Sequence, residues 1–472
     1  MKIAFLILSI LFYISVSGQD YLDKQIPKDS ALSDFNTFKT ALISGHPGIY
    51  WYKSKEEIIK SFENAEHLIK TDISNRDFHK ILTSVMNDIS CGHSTVLYSK
   101  EHLSNIDTLS LFFPFKVTKI NEELFITKVL SNSDIKEGSQ IISINNKNIN
   151  KIIEIIESKI STDKGISTKK IRSLDILFSY YYAQFIENTD EFSIEIIDEN
   201  GNKKHKKVKA IYWDNNNMFH SPKEYAASKN PISYSINNNI AELDIRTFSA
   251  RSFKNNNINY EDTISKIFQE LNNKEVRNLI VDLRGNNGGA LGFSELLYSY
   301  LTKKDIVFTE KVLMNEDIAE GNFKYADLPR FLDMFQKEFG SLKKVNNQYI
   351  IPTDSLVANK PHYNGNVYFL TDGLSFSATS NLLAVCKENN IGTIIGETSG
   401  GAYEGCNAGS PIIVSLPYSN FRLFYYIMGI RLNVNKEIKQ IDVDYKVSNR
   451  IEDIIKNTDR VNEFTIELIK KN

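Results

Sequence analysis

The sequence contains few cysteines and little net charge, and each scarcity excludes a class of protein. Three cysteines in 472 residues, Cys91, Cys386 and Cys406, are too few for a disulfide framework, although the sequence allows one unspecified pair to form. No Cys/His spacing has the form of a zinc site. The formal net charge is -2 with both signs interspersed, which gives no reason to expect nucleic acid or an anionic membrane as a partner. The length instead indicates a soluble protein of two to four domains.

Long apolar runs are also missing, except for one at the N-terminus. Lys2 precedes apolar residues 3–16, and the small residues Ser17 and Gly18 then offer a cleavage site. The run is too short for a comfortable membrane span, and polar sequence follows it. We expect residues 1–19 to be a cleaved signal peptide, and the mature protein to be exported to the periplasm or the extracellular space without a stable membrane span.

Changes in the hydrophobic pattern divide the rest of the chain. Residues 20–105 carry apolar residues at helical spacing, which predicts an N-terminal helical domain. Residues 106–212 contain short β-rich runs, helices and a terminal hairpin, an order that resembles a PDZ-like module. Residues 213–230 are polar and predict a linker. Residues 231–460 alternate strands and helices, which predicts an α/β domain with functional residues at the carboxyl ends of its strands. An insertion at 303–364 is either a lid or an assembly surface.

The turn around Ser377 joins a short apolar strand to an apolar-periodic helix. A serine at such a junction has two interpretations. It is either an ordinary helix N-cap, or an exposed nucleophile facing the free N–H groups of the first helical turn. In the second case the same N–H groups bind the oxyanion that the nucleophile creates.

A glycine-rich turn, residues Gly285–Gly289, follows the preceding strand. It lacks the Gly-x-Gly-x-x-Gly spacing and the Gly-Lys-Ser/Thr ending of nucleotide-binding loops, so a nucleotide cofactor is not indicated. Adjacent glycines also permit close backbone approach with their N–H groups turned outward. We therefore expect an oxyanion hole from the N–H of Ala378 together with that of Gly288 or Gly289. We expect the charged residues of this turn to fix its shape and not to react: Asp282 and Arg284.

Three segments carry a family resemblance through their order: Val281–Gly289, Thr371–Ser380 and Ile394–Gly401. So arranged, they resemble the tail-specific (C-terminal processing) protease family of serine peptidases. The resemblance implies a crotonase-like α/β catalytic domain behind a PDZ-like module, peptide or unfolded protein substrates, and no cofactor or metal. It makes Ser377, which is followed by alanine, the nucleophile.

The lysine base of the bacterial tail-specific enzymes is missing. The family pattern places Ala402 at its position, and no lysine is nearby in the sequence. The tricorn-like branch of the family uses an N-terminal histidine in an Asp-Gly-His-Thr context instead. Residues 91–95 are similar to that context at their glycine and at His93. An imidazole, with an ordinary pKa of about 6.5, suits a general base. The resemblance therefore implies that His93 is the base.

A third group is expected to orient the imidazole, and Glu404 is our prediction for it. In an extended backbone Glu404 faces the same side as Ala402, two residues earlier. The competing acids are those in the same half of the chain: Glu397, Asp442 and Asp444. The missing lysine also leaves open a different class, a catalytically inactive peptide- or ligand-binding protein on the same scaffold. Hydrogen-bond reach between His93 and Ser377 discriminates between the two.

Overall fold

The computed structural model describes residues 18–104, 111–212, 229–330, 332 and 340–471. Nearly all of the expected signal peptide and of the expected linker therefore lies outside the described residues. Among the helices that are described, none is long and apolar enough to cross a membrane.

The described part of the chain is a mixture of helices and strands, as predicted. The helices are α1 Gly18–Asp23, α2 Lys28–Gly45, α3 Lys55–Glu66, α4 Asn75–Ile89, α5 Lys100–Ser104, α6 Ile149–Glu157, α7 Ser167–Phe185, α8 Ala250–Asn255, α9 Tyr260–Asn273, α10 Leu291–Leu301, α11 Glu316–Ala319, α12 Ala378–Glu388, α13 Ile451–Lys456 and α14 Arg460–Lys471. The strands are β1 Gln25–Ile26, β2 Ile73–Ser74, β3 Thr95–Leu97, β4 Leu111–Phe112, β5 Phe115–Ile120, β6 Glu123–Val129, β7 Gln140–Ile144, β8 Lys147–Asn148, β9 Glu191–Ile197, β10 Lys203–Lys209, β11 Ile211–Tyr212, β12 Ile232–Asn237, β13 Ile240–Ile245, β14 Asn278–Asp282, β15 Thr309–Asn315, β16 Lys343–Val345, β17 Gln348–Pro352, β18 Asn366–Thr371, β19 Thr393–Gly396, β20 Gly405–Ser415, β21 Arg422–Leu432 and β22 Tyr445–Lys446.

The sheet of the α/β region has the order β12-β13-β14-β18-β19-β22. Only β12 is antiparallel to its neighbour, and the other pairs are parallel. Helices cover both faces of its central strands, which explains why β14 and β18 read as nearly continuous apolar runs. Because β14 and β18 are adjacent and in register, the glycine-rich turn and the Ser377 turn emerge side by side at one edge of the sheet.

A second sheet, which the sequence analysis did not predict, is fully antiparallel with the order β16-β17-β15-β21-β20. Strand β3 pairs with the far end of β21. The expected insertion at 303–364 supplies β15 and β17, which are inner strands, so this part of it is structural core. The N-terminal helices α2 and α4 share one hydrophobic core with this sheet. The Tyr425 hydroxyl, for example, donates to the Ala41 carbonyl over 2.9 Å.

Residues 111–212 form an antiparallel sheet of order β10-β9-β7-β6-β5, with β8 paired to β7. The predicted terminal hairpin is present as β9 and β10. Helix α7 packs along β5, and its aromatic side chains Phe178 and Tyr182 are buried in this core. The N-terminal end of α7 reaches the α/β sheet, where Arg172 forms an ion pair with Glu397 over 3.0 Å. The β-rich module therefore borders the edge at which Ser377 lies.

Candidate active site

Ser377 occupies the sharp turn between β18 and α12. Its φ of 59° and ψ of -125° lie in a region that non-glycine residues rarely adopt. Although Ser377 stands at the N-cap position, its side chain makes no capping hydrogen bond. Its hydroxyl is therefore not used to cap the helix, which favours the nucleophile interpretation over the N-cap.

The turn is held by the side chain of Asp372, whose Oδ1 accepts hydrogen bonds from the N–H groups of Gly285 and Leu374, both over 2.9 Å. The hydroxyl of Ser375 donates to the carbonyl of Leu283 over 2.9 Å. Ser380 is also buried and donates to the carbonyl of Ser375 over 3.0 Å. The hydroxyls of Ser375 and Ser380 thus both donate to backbone carbonyls, and of the three serines only Ser377 is partly exposed.

His93 lies directly against this serine. Its Nε2 is 2.9 Å from the Ser377 Oγ. The imidazole stacks on the ring of Phe376 at a centroid distance of 4.4 Å and meets the edge of Tyr426 at 5.5 Å. Burial lowers the pKa of His93 to about 3, and the positive charge of Lys169 adds to the effect. The imidazole is therefore neutral at physiological pH and able to accept a proton.

The loop that carries His93 is fixed between α4 and β3. Gly92 lies so close to its neighbours that a Cβ there would be 2.9 Å from the Cζ of Phe376. On the other side, the Ser94 hydroxyl lies 3.0 Å from Nε2 of the buried His46. The Gly48 N–H donates to Nδ1 of that ring over 3.2 Å. Nε2 of His46 thus contacts the loop of His93 and Nδ1 holds the turn that follows His46, which gives this residue a structural role.

The two glycines predicted for the oxyanion hole differ in their hydrogen bonding. The Gly288 N–H donates to the Asn286 Oδ1 over 2.9 Å. The N–H groups of Gly289 and Ala378 have no hydrogen-bond acceptor among the described residues. Gly288 instead permits close approach, because a Cβ on it would lie 2.9 Å from the Ala378 nitrogen. Gly289 and Ala378 are therefore the available pair of donors.

Residues 239–407 match the model of peptidase family S41. The chain therefore contains a peptidase family S41 domain. It is accordingly a serine-type peptidase, a hydrolase of peptide bonds. The comparison with curated proteins found no match.

Solved structures add the fold of the S41 chain as a whole. A structure of mature CPAF complexed with lactacystin has a TM-score of 0.67 at 15% identity, covering 94% of this chain and 99% of that one. A second structure of mature CPAF has a TM-score of 0.66 at 14% identity, covering 93% and 96%. At such identities the likeness concerns the fold alone, and it extends over nearly the full length of both chains.

Glu404 of the S41 domain lies away from the place predicted for it. Its carboxylate is buried and pairs with Lys164 Nζ at 2.9 Å and with Arg431 Nη2 at 2.8 Å. Among the described residues no ion pair joins Glu404 to His93. The other predicted acids are also engaged elsewhere: Glu397 with Arg172, Asp442 with Gln440, and Asp444 with Lys387.

The carboxylate that does face His93 is Asp163, which sequence reasoning missed. Its Oδ2 is 4.0 Å from Nδ1 of His93, on the ring edge opposite Ser377. Asp163 lies in a short 3-10 turn, Asp163–Gly165, within the β-rich module. Its surrounding sequence, Thr-Asp-Lys-Gly, is an ordinary loop composition, so no local signal marks it.

Proposed function

We propose that this S41 peptidase is an exported enzyme in which Ser377 is the nucleophile and His93 is its base. The distance of 2.9 Å between His93 Nε2 and Ser377 Oγ carries the proposal, because a serine hydroxyl needs an adjacent base to attack at neutral pH. A histidine also fits the absence of a lysine at Ala402. Both observations support the His-base branch of the family, the tricorn-like one, as the branch to which we assign the protein.

In the acylation step, the Ser377 oxygen bonds to the carbonyl carbon of the scissile peptide while its proton passes to His93 Nε2. The resulting oxyanion accepts hydrogen bonds from the N–H groups of Ala378 and Gly289. Removing one such donor typically slows a reaction about 10²- to 10³-fold. When the intermediate collapses, His93 returns the proton to the leaving amine. A water molecule activated by the same imidazole then hydrolyses the acyl-enzyme.

The substrate class follows from the family and from the site. Ser377 is partly exposed at a sheet edge that also borders the β-rich module, so an extended polypeptide is the substrate that we propose. The interpretation of residues 106–212 as a PDZ-like module that holds a substrate tail by strand addition stays a prediction. Export rests on the sequence pattern of residues 1–19, and N-terminal mass spectrometry of the protein secreted by a bacterial host tests it: a mature chain starting near Gln19 or Asp20 is expected.

The catalytic proposal is tested with Ser377→Ala and His93→Ala in the purified mature protein. Hydrolysis of a denatured protein and labelling by a fluorophosphonate are measured. Both variants should lose hydrolysis, and Ser377→Ala should lose the label. Ser33→Ala, an exposed serine on α2, is the matched control and should behave as wild type. Wild-type hydrolysis and labelling in Ser377→Ala would refute the assignment of the nucleophile, whereas no hydrolysis and no labelling in the wild-type protein would favour the inactive binding protein.

A further inference from the structure

A buried carboxylate and a buried imidazole face each other behind the nucleophile, and each lacks a hydrogen-bond partner on the facing side. The side chain of Asp163 is 1% exposed and that of His93 is 8% exposed. Among the described residues, neither Asp163 Oδ2 nor His93 Nδ1 has a hydrogen-bond partner. Leaving a buried polar atom unpaired is energetically unfavourable, so these two atoms have a strong tendency to pair with each other.

The other oxygen of Asp163 is fixed. Oδ1 accepts a hydrogen bond from the Gly92 N–H over 2.6 Å, in the residue just before His93. Two more bonds join the same segments: the Ser161 hydroxyl donates to the Cys91 carbonyl over 2.8 Å, and the Lys164 N–H donates to the Ser90 carbonyl over 3.1 Å. The turn of Asp163 and the loop of His93 are thus bonded into one unit. The 4.0 Å between Asp163 Oδ2 and His93 Nδ1 therefore separates two side chains whose backbones are held together.

Within the described part of the chain, Asp163 is the only carboxylate paired with His93. Glu404 is neutralised by Lys164 and Arg431, each within 3 Å. Glu397 is paired with Arg172. Asp163 packs closely against the backbone of Gly92. A Cβ at position 92 would lie 3.2 Å from Asp163 Oδ1, so a residue with a side chain would crowd this carboxylate.

We propose that Asp163 is the positioning residue of His93: its carboxylate accepts the Nδ1–H and thereby keeps the lone pair of Nε2 directed at Ser377. This inference rests on the proposed function, because it needs His93 to be the base. When His93 takes the proton of Ser377, the carboxylate also stabilises the imidazolium that forms. The β-rich module then contributes directly to the catalytic centre, and not only to substrate binding.

Several ionisable groups surround the pair. The imidazole is influenced by Lys169 of α7 and by His46. The carboxyl group of Asp163 is influenced by Lys169 as well, and it lies near Tyr52, Cys91 and Cys406. Burial raises the pKa of Asp163 to about 7, against hydrogen bonds from the backbone of Gly92 and Ala402 that lower it. Near neutrality the Asp163 carboxyl therefore titrates beside a neutral imidazole.

Asp163→Asn tests the proposal, with Glu404→Gln as the matched control because it removes the other buried carboxylate of this region. In Asp163→Asn we expect kcat/KM to fall about 10³- to 10⁴-fold through kcat, with KM nearly unchanged. The acid limb of the pH profile of its remaining kcat/KM should move to lower pH, because the imidazolium of His93 no longer has the negative charge of Asp163 beside it. Glu404→Gln should keep its acid limb at the wild-type pH and lose far less activity. Wild-type kcat and an unmoved acid limb in Asp163→Asn would overturn the proposal.

A measurement on the wild-type protein covers the case in which Asp163→Asn does not fold. Nitrogen-15 NMR of histidine-labelled protein reports the tautomer of His93, and the Nδ1–H form is expected near pH 8. The Nε2–H form would contradict the assignment. The two proposals can be refuted separately. If Ser377→Ala keeps its activity, the proposed function is wrong. If Ser377→Ala and His93→Ala lose activity but Asp163→Asn keeps full activity, only the role of Asp163 is wrong.

Discussion

The Nε2 of His93 lies 2.9 Å from the Oγ of Ser377 although the two residues are 284 positions apart. One stands on a loop after an N-terminal helix and the other at the carboxyl end of a parallel strand. Strand β3, which follows His93 immediately, pairs with β21 of the second sheet. The contact between His93 and Ser377 therefore forms only when the N-terminal helices, the second sheet and the α/β sheet are all assembled.

The close packing of Gly92 gives a first prediction. In Gly92→Ala the new Cβ would lie 2.9 Å from Phe376 Cζ, so the loop of His93 must shift. A displacement of about 1 Å at a reacting group is enough to reduce the rate about 10²-fold. We expect a loss of this order in kcat/KM with the chain still folded by circular dichroism. Gly292→Ala is the control, because nothing lies within 4 Å of its Cβ; equal activity of the two variants would contradict the prediction.

The charge of Lys169 gives a second prediction, on pH dependence. Its Nζ lies 3.8 Å from the ring centroid of Phe376, and it lowers the pKa of both His93 and Asp163. In Lys169→Met both pKa values should rise, because repulsion of the imidazolium and stabilisation of the carboxylate are lost together. Activity requires the deprotonated groups, so the acid limb of kcat/KM should move to higher pH.

Lys170→Met is the matched control for this pH profile. Lys170 stands next in α7, but its ammonium group donates to the Asn87 side chain and to the Glu157 carbonyl. Its removal should leave the acid limb where it is. If the acid limb moves equally in Lys169→Met and Lys170→Met, or in neither, then the charge of Lys169 does not act on His93 and Asp163.

The parts of the site that local patterns specify were predictable from the sequence. Ser377 and the glycine-rich turn each follow an apolar strand. The hydrophobic periodicity of a strand and the composition of a turn depend on neighbouring residues, so both can be recognised in a sequence. Asp163 and the second sheet are different. Asp163 lies next to His93 through contacts between segments that are distant in the sequence. Strand β15 pairs with β21, although β18 and β19 lie between them in the chain. Such pairings depend on tertiary packing, of which a single sequence carries no local trace.

The three cysteines give a third prediction. All are buried and unpaired. Burial raises the pKa of Cys91 to about 12 and raises that of Cys386 and Cys406 as well, so little thiolate is present at neutral pH. Iodoacetamide should leave the native protein unmodified and add three groups after denaturation without reductant, as counted by intact mass. A single group would reveal a disulfide between two of them.

Arg284 gives the last prediction, on stability. Its guanidinium donates to Asp282 over 2.8 Å and to Asp459 over 2.6 Å, which ties the glycine-rich turn to the start of α14. Arg284→Met leaves two partly buried carboxylates without their cation, and hydrogen bonds to charged groups contribute about 1.5–3 kcal/mol each. Asp459 is 45% exposed, so solvent screens part of this interaction. We therefore expect the free energy of unfolding, measured with urea, to fall by about 2 kcal/mol. Arg450→Met removes a guanidinium that is 64% exposed, and the backbone N–H of residue 450 can still donate to Asp453, so it should leave the unfolding midpoint unchanged. Equal midpoints for the two variants would mean that the turn holding the oxyanion donors does not depend on this ion pair.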